Sequence, residues 1–363
     1  MPVKFHSEFN TGFNPNYLDF PGFDKNSVLH IFDVFSDNFL QNLFSAKGQP
    51  GVIISDHIVK HDGIKKYDLK FYGMPCWLIR EKQQWTLEDF KGESLITERC
   101  CNFMINKKQA NRYACAKLCD IFLQPEHFLY TFSGIARNFD CKHFLRDMDE
   151  LGTKSPLSDK ERAEFLSPVK SETRFIVNEQ TKVEHIDVGN NIGRVWYGSN
   201  RKSWNTIKEI FQKTAVALIT ETADAFDDGV SENQTVFTEK TLFPILALNF
   251  PIWVGGYCNA EMWQKMGFDI FEDVIDHSYQ HYDTLIERCV YAVKNNLHIL
   301  TNFNSAQSLR KKHYDRLLEN RRLILSNTLE NYRDNLIESA NEEHKHYSLL
   351  VKDKFINTTT NMV

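Results

Sequence analysis

One stretch constrains the fold more than any other. Phe237-Thr238-Glu239-Lys240 opens an apolar, helix-length run that leads through Pro251 into Ile252, Trp253 and Val254 and stops at Gly255-Gly256. A threonine followed by an acidic residue is a helix-start signal: the hydroxyl caps an amide, and the carboxylate suits the positive end of the helix dipole. A short apolar run between proline and paired glycines reads as a buried strand. Helix, strand and glycine turn in that order suit an open α/β sheet, whose ligands sit beyond the strand ends and beside helix N-termini. A Glu-Lys pair at such a helix start fits a nucleoside diphosphate. The carboxylate accepts from vicinal ribose hydroxyls, while the ammonium and the helix amides face phosphate. The competing reading is an ordinary capped helix carrying a solvated Glu-Lys pair.

The same alternation recurs along the chain. Apolar runs predict strands at residues 28–35, 51–56, 74–79, 103–105, 128–133, 216–220 and 251–254. Helical stretches fall between them at residues 36–46, 109–121, 203–213 and 259–266. Strands separated by helices imply a doubly wound α/β architecture. A polar stretch at residues 140–182, interrupted by Gly152, Pro156 and Pro168, places a domain boundary near residue 170. The expected division is therefore 1–170, 171–305 and a helical segment at 306–363. In that last segment Leu309, Leu317, Leu318, Ile324 and Leu329 form an apolar stripe without a clean heptad.

Composition sets the outer limits. At 363 residues, with 42% hydrophobic and 25% charged residues, the chain can bury two ordinary globular cores. It contains no apolar run long enough for a membrane span and no signal-peptide core at its start, so the expectation is a cytoplasmic protein without a membrane partner. None of the eight cysteines forms a Cys-x-x-Cys pair, which points to buried free thiols and to no metal site. The net charge of −5 disfavours a protein that coats nucleic acid, although a local basic groove is compatible with it. Arg310-Lys311-Lys312-His313, with Arg316, Arg321 and Arg322, is the densest basic segment. It reads either as a solvated helix face or as a phosphate contact.

Several runs together resemble a glycosyltransferase-like family of phages and large viruses. They are Ala217-Leu218-Ile219-Thr220-Glu221-Thr222, then Phe237-Thr238-Glu239-Lys240, then Phe250-Pro251-Ile252-Trp253-Val254-Gly255. Met266-Gly267-Phe268-Asp269-Ile270-Phe271, Ile275-Asp276-His277-Ser278-Tyr279 and Arg288 follow. Cys101-Asn102-Phe103 with Arg112, and Glu319-Asn320-Arg321, look like weaker members of the pattern. The Glu-Lys element is also similar to the donor helix of GDP-fucose-dependent fucosyltransferases, although those carry Ser-Glu-Lys where this chain has Thr-Glu-Lys. The match does not reach their sugar-binding residues, so no donor sugar is carried over.

The resemblance implies a GT-B-like fold, with two Rossmann-like domains facing a cleft and C-terminal helices crossing back. Residues 1–170 would be the acceptor side and 171–305 the nucleotide-sugar-binding side. It implies Glu239 on the donor ribose and Lys240 on the diphosphate of a nucleoside-diphosphate sugar, which is a substrate; no further cofactor is expected. Thr238, Glu232 and Arg201 are further donor-side candidates. Asp224, Asp227 and Asp228 form an acidic loop without Asp-x-Asp spacing, so a metal-independent mechanism is expected. An inverting enzyme also needs a base, and Asp56, beside His57 just past an apolar strand, is the candidate. The viral company of the family suggests double-stranded DNA carrying a hydroxymethylated pyrimidine as acceptor, or else a surface glycan or protein. The alternatives of another class are a binding protein that kept the fold without transfer, and a DNA-binding module.

Overall fold

The computed structural model describes residues 4–8, 27–31, 52–55, 70–91, 95–105, 110–132, 155–167, 204, 208, 210–221 and 235–343. The strands form two four-stranded sheets, and every pairing is parallel. The first sheet contains β1 (Lys4–Glu8), β2 (Ser27–Ile31), β3 (Val52–Ser55) and β4 (Lys70–Gly73) in simple sequential order. The second contains β5 (Arg99–Ile105), β6 (Phe128–Phe132), β7 (Thr214–Ile219) and β8 (Phe250–Trp253), in the order β6-β5-β7-β8. Parallel neighbours need crossover connections, and the expected α/β class follows from this arrangement.

The expected boundary near residue 170 falls inside the second sheet. β5 lies before it and β7 after it, yet Cys101 pairs with Val216 and Phe103 with Leu218. Polar composition does not mark where a sheet ends. Within that stretch α3 (Asp159–Leu166) starts at a capping box, with Ser158 Oγ accepting from the Glu161 amide at 3.4 Å. It packs on α2 (Ala110–Phe122), the helix that follows β5.

A second correction concerns residues 74–79, expected as a strand. The strand ends at Gly73, and α1 (Cys76–Lys82) begins behind Pro75. Met74, Cys76, Leu78 and Ile79 are all buried. A short apolar run of this kind carries no period that separates a buried helix from a buried strand.

The second sheet is covered on both faces, and the alternation of its side chains says how. Val216, Leu218, Phe250 and Ile252 belong to one core with α2 and with α6 (Leu285–Lys294). Ala217, Ile219 and Trp253 belong to the other, together with α4 (Glu239–Leu246) and α5 (Asn259–Lys265). Successive residues point to opposite faces, and both are covered, so all six residues of β7 are buried. Leu78 and Ile79 of α1 join the second core, so the chain just after the first sheet packs with the second.

The C-terminal segment is built onto this body. After the short α7 (Leu297–Leu300), α8 (Phe303–Lys312) touches β5 and β7, α9 (Tyr314–Leu325) packs on α4, and α10 (Thr328–Glu343) packs on α1. Lys82 at the end of α1 donates to the Ser326 carbonyl and to Glu330 of α10 at 2.5 Å. Among the described residues no helix is long and apolar enough to cross a membrane.

Candidate functional site

The strand order reverses once in the second sheet. The chain passes from β5 to β6 on one side, then returns to β7 on the other side of β5. Crossovers that leave in opposite directions part the loops above the sheet, and open α/β sheets bind ligands in the crevice this creates at the strands' carboxyl ends. A pocket lies there, lined among others by Met104, Arg112, Thr220, Glu239, Lys240 and Pro244. Its cavity volume is about 50 Å³. Whole small-molecule sites run to hundreds of Å³, so a ligand larger than a few atoms would extend beyond these walls.

Three elements supply the polar groups in the pocket and behind it. The first is α4, whose start follows from local sequence. Thr238 is extended (φ −127°, ψ −167°), and its hydroxyl accepts from the Lys240 amide at 3.3 Å. That sets Glu239 and Lys240 in the first turn, while Leu242, Phe243, Ile245 and Leu246 are buried. Glu239 and Lys240 pair at 2.6 Å, with 18% and 24% of their side chains exposed. Burial pushes the Glu239 carboxyl up, but the Lys240 ammonium, the Glu239 amide and Arg112 outweigh it, and the net shift is down. The second element is α2, which brings in the buried Arg112 close enough to act on Glu239.

The third element is the end of β7, where Glu221 is 4% exposed. Its carboxylate accepts from the Thr238 amide at 3.0 Å and from the Thr238 and Thr241 hydroxyls, each at 2.6 Å. Thr241 in turn accepts from Trp253 Nε1 at 3.0 Å. Glu221 thus caps α4 from the neighbouring strand end. The signal available was its position: a lone glutamate closing an otherwise apolar strand.

The cap alters one expectation. Helix amides were expected to face phosphate, but those of the first turn are occupied. Glu221 takes the Thr238 amide, Thr238 Oγ1 the Lys240 amide, the Thr238 carbonyl the Thr241 and Leu242 amides, and Glu239 its own. An anion in this pocket would meet the side chains of Lys240 and Arg112 instead.

Beside the pocket, the turn after β8 carries Gly255, whose φ of +80° few residues other than glycine adopt at low cost. A Cβ there would stand 2.7 Å from Leu285 and 3.2 Å from Asn111 Cβ. Arg288, fully buried, donates to the Gly255 carbonyl at 3.1 Å and to the Tyr282 and Asp283 carbonyls at 2.9 and 3.1 Å. Its role is to hold the turn.

The structure brings Thr238, Glu239 and Lys240 together at one mouth. Asp56, Arg201, Glu232 and the Asp224, Asp227 and Asp228 loop lie outside the described residues. The basic C-terminal segment is divided between internal partners and solvent, with Lys311, Lys312 and Arg322 exposed. Arg310 is buried among backbone carbonyls, and Arg316 holds Asp269 and Asp273 at 2.6 and 2.9 Å. Arg321 lies over the Phe90 ring at 4.4 Å, and Arg322 meets Glu319 at 3.5 Å. The spacing of these residues in sequence could not reveal partners so distant along the chain. Among the described residues seven of the chain's eight cysteines are buried free thiols, and no group of His, Cys, Asp and Glu is placed to hold a metal ion.

In comparisons with known proteins, no family model, no curated protein and no solved structure matches the chain.

Proposed function

We propose that the crevice at the carboxyl ends of β5 and β7 holds the nucleoside-diphosphate part of a sugar donor, and that the chain is a glycosyltransferase of GT-B type. One observation carries this reading: a carboxylate, an ammonium and a buried guanidinium, from Glu239, Lys240 and Arg112, converge on a pocket at the point of strand-order reversal. In transfer, the bond from the anomeric carbon to the β-phosphate oxygen breaks and its electrons leave with the diphosphate. The acceptor oxygen forms the new bond and gives up its proton to a base, for which Asp56 is the candidate. Lys240 and Arg112 would neutralise the departing charge, and Glu239 would orient the ribose through its hydroxyls.

The acceptor is a hydroxyl. A hydroxymethylated pyrimidine in DNA is the acceptor suggested by the family resemblance. In the basic segment that would favour DNA, Arg310, Arg316 and Arg321 are committed to internal partners, and the net charge is −5. A glycan or protein acceptor therefore stands level with it.

The test is a thermal-shift panel of nucleoside diphosphates and their sugars, with wild type beside Lys240→Ala. A ligand at a hundred times its dissociation constant adds about 2.7 kcal/mol. Stabilisation by one nucleoside diphosphate, lost in the variant, is expected. Silence across the panel would end the transferase reading.

A further inference from the structure

Glu221 is not a wall of the pocket, yet it touches the starts of both helices that supply the pocket's cations. Its carboxylate holds the first turn of α4 through Thr238 and Thr241. Its backbone carbonyl accepts from Asn111 Nδ2 at 3.0 Å, and Asn111 directly precedes Arg112 on α2. We propose that Glu221 is a positioning residue, fixing the start of α4 against the start of α2 and so the spacing of Lys240 and Arg112. The functional part of this inference rests on the donor-site reading above: the spacing it sets is the one a diphosphate would meet.

Two arguments favour positioning over plain stabilisation. First, Thr238 already caps α4 locally, so a second cap reaching across from β7 adds a tie between elements and not merely a helix start. Second, a carboxylate at this depth is an inefficient way to gain stability, because removing it from water offsets much of what its bonds return. Burial raises the Glu221 carboxyl, and the Lys240 ammonium with the Thr238 and Thr241 hydroxyls offsets only part of that rise. What the carboxylate does supply is direction. Three donors on two residues of one turn converge on its two oxygens, which fixes the rotation of α4 as well as its start. Rotation decides whether Lys240 looks into the crevice.

The test uses Glu221→Gln in the full chain. The amide keeps the side chain's shape but turns one acceptor into a donor facing hydroxyls that already donate. Amide hydrogen exchange and the Arg112 Nε–H resonance are recorded without ligand, and GDP, UDP and CDP are titrated by calorimetry. The expected result is exchange about tenfold faster or more at Thr238–Thr241 and at the start of α2, with Phe250–Trp253 unchanged. The Arg112 resonance should move, and the affinity of the diphosphate that binds wild type should fall by about tenfold or more. Unchanged exchange and an unmoved resonance would overturn the inference, and so would acceleration spread evenly through β8. If wild type binds none of the three nucleotides while the local exchange effect is present, the donor reading fails and the positioning role stands. If Glu221→Gln does not fold, Glu221→Asp is read by the same criteria, since it keeps the charge but draws the oxygens back by one methylene.

Discussion

The two ends of the second sheet make opposite use of the same chemistry. At the amino ends of the strands, Arg310 is 1% exposed and nearly saturated. It donates to the Ala247 and Leu248 carbonyls ahead of β8, to the Gln212 carbonyl ahead of β7, and to Thr97 ahead of β5. Asn249 closes the same end, donating to the Phe211 carbonyl at 2.9 Å and to Thr214 at 2.5 Å. At the carboxyl ends, Lys240 and Arg112 meet a carboxylate and a cavity. A cation surrounded by backbone carbonyls is a structural clamp. A cation beside a carboxylate at a strand-order reversal is, under the proposed function, the kind a ligand would meet.

Substitutions at the two ends should therefore separate stability from binding. The largest loss is expected at the amino ends. Arg310→Ala strips several buried carbonyls of their donors at once, and should cost on the order of 3–5 kcal/mol in denaturant unfolding. A cost below about 1 kcal/mol would mean that the clamp is dispensable.

An intermediate effect is expected at His277, which packs near Trp253 at the end of β8 with ring centroids 5.9 Å apart. Burial lowers its pKa to about 4 from 6.5, against the pull of its bond to the Ile270 carbonyl and of Asp276. The folded state thus resists a proton that the unfolded chain accepts. Stability should be full above pH 6.5 and fall as the pH drops towards 4. Between pH 7 and pH 5 the loss is about 2 kcal/mol, and His277→Asn should remove it from the difference between two urea titrations.

Lys240→Ala should have the smallest effect on folding, within about 1 kcal/mol, since a partly exposed ion pair contributes little. Its effect on diphosphate binding should nevertheless be the largest of the three. If Lys240→Ala destabilises as much as Arg310→Ala, the contrast between the two ends collapses.

Much of this was legible in the sequence wherever the physics is local. Thr238 before Glu239, and Pro251 before an apolar run that stops at glycine, fixed the helix and strand that position the pocket. Residues 74–79 misled, because a buried helix and a buried strand can share one apolar composition. The stretch at residues 140–182 misled differently: it is polar, yet strands on both sides of it pair in one sheet. Long-range partners were the least legible. Arg310 looked like part of a basic face, and only the fold shows that it faces carbonyls from two distant segments and a hydroxyl from a third. Glu221 shares that property, since its role depends on which helix starts fall beside the end of β7.

Arg310 also bears on the order of events at birth. Its partners precede it by 213, 98, 63 and 62 residues. A chain leaves the ribosome amino end first. β5, β7 and β8 must all emerge and wait, without their Arg310 donor, until α8 follows them out. The clamp that finishes one end of the sheet is therefore made only after every strand it joins.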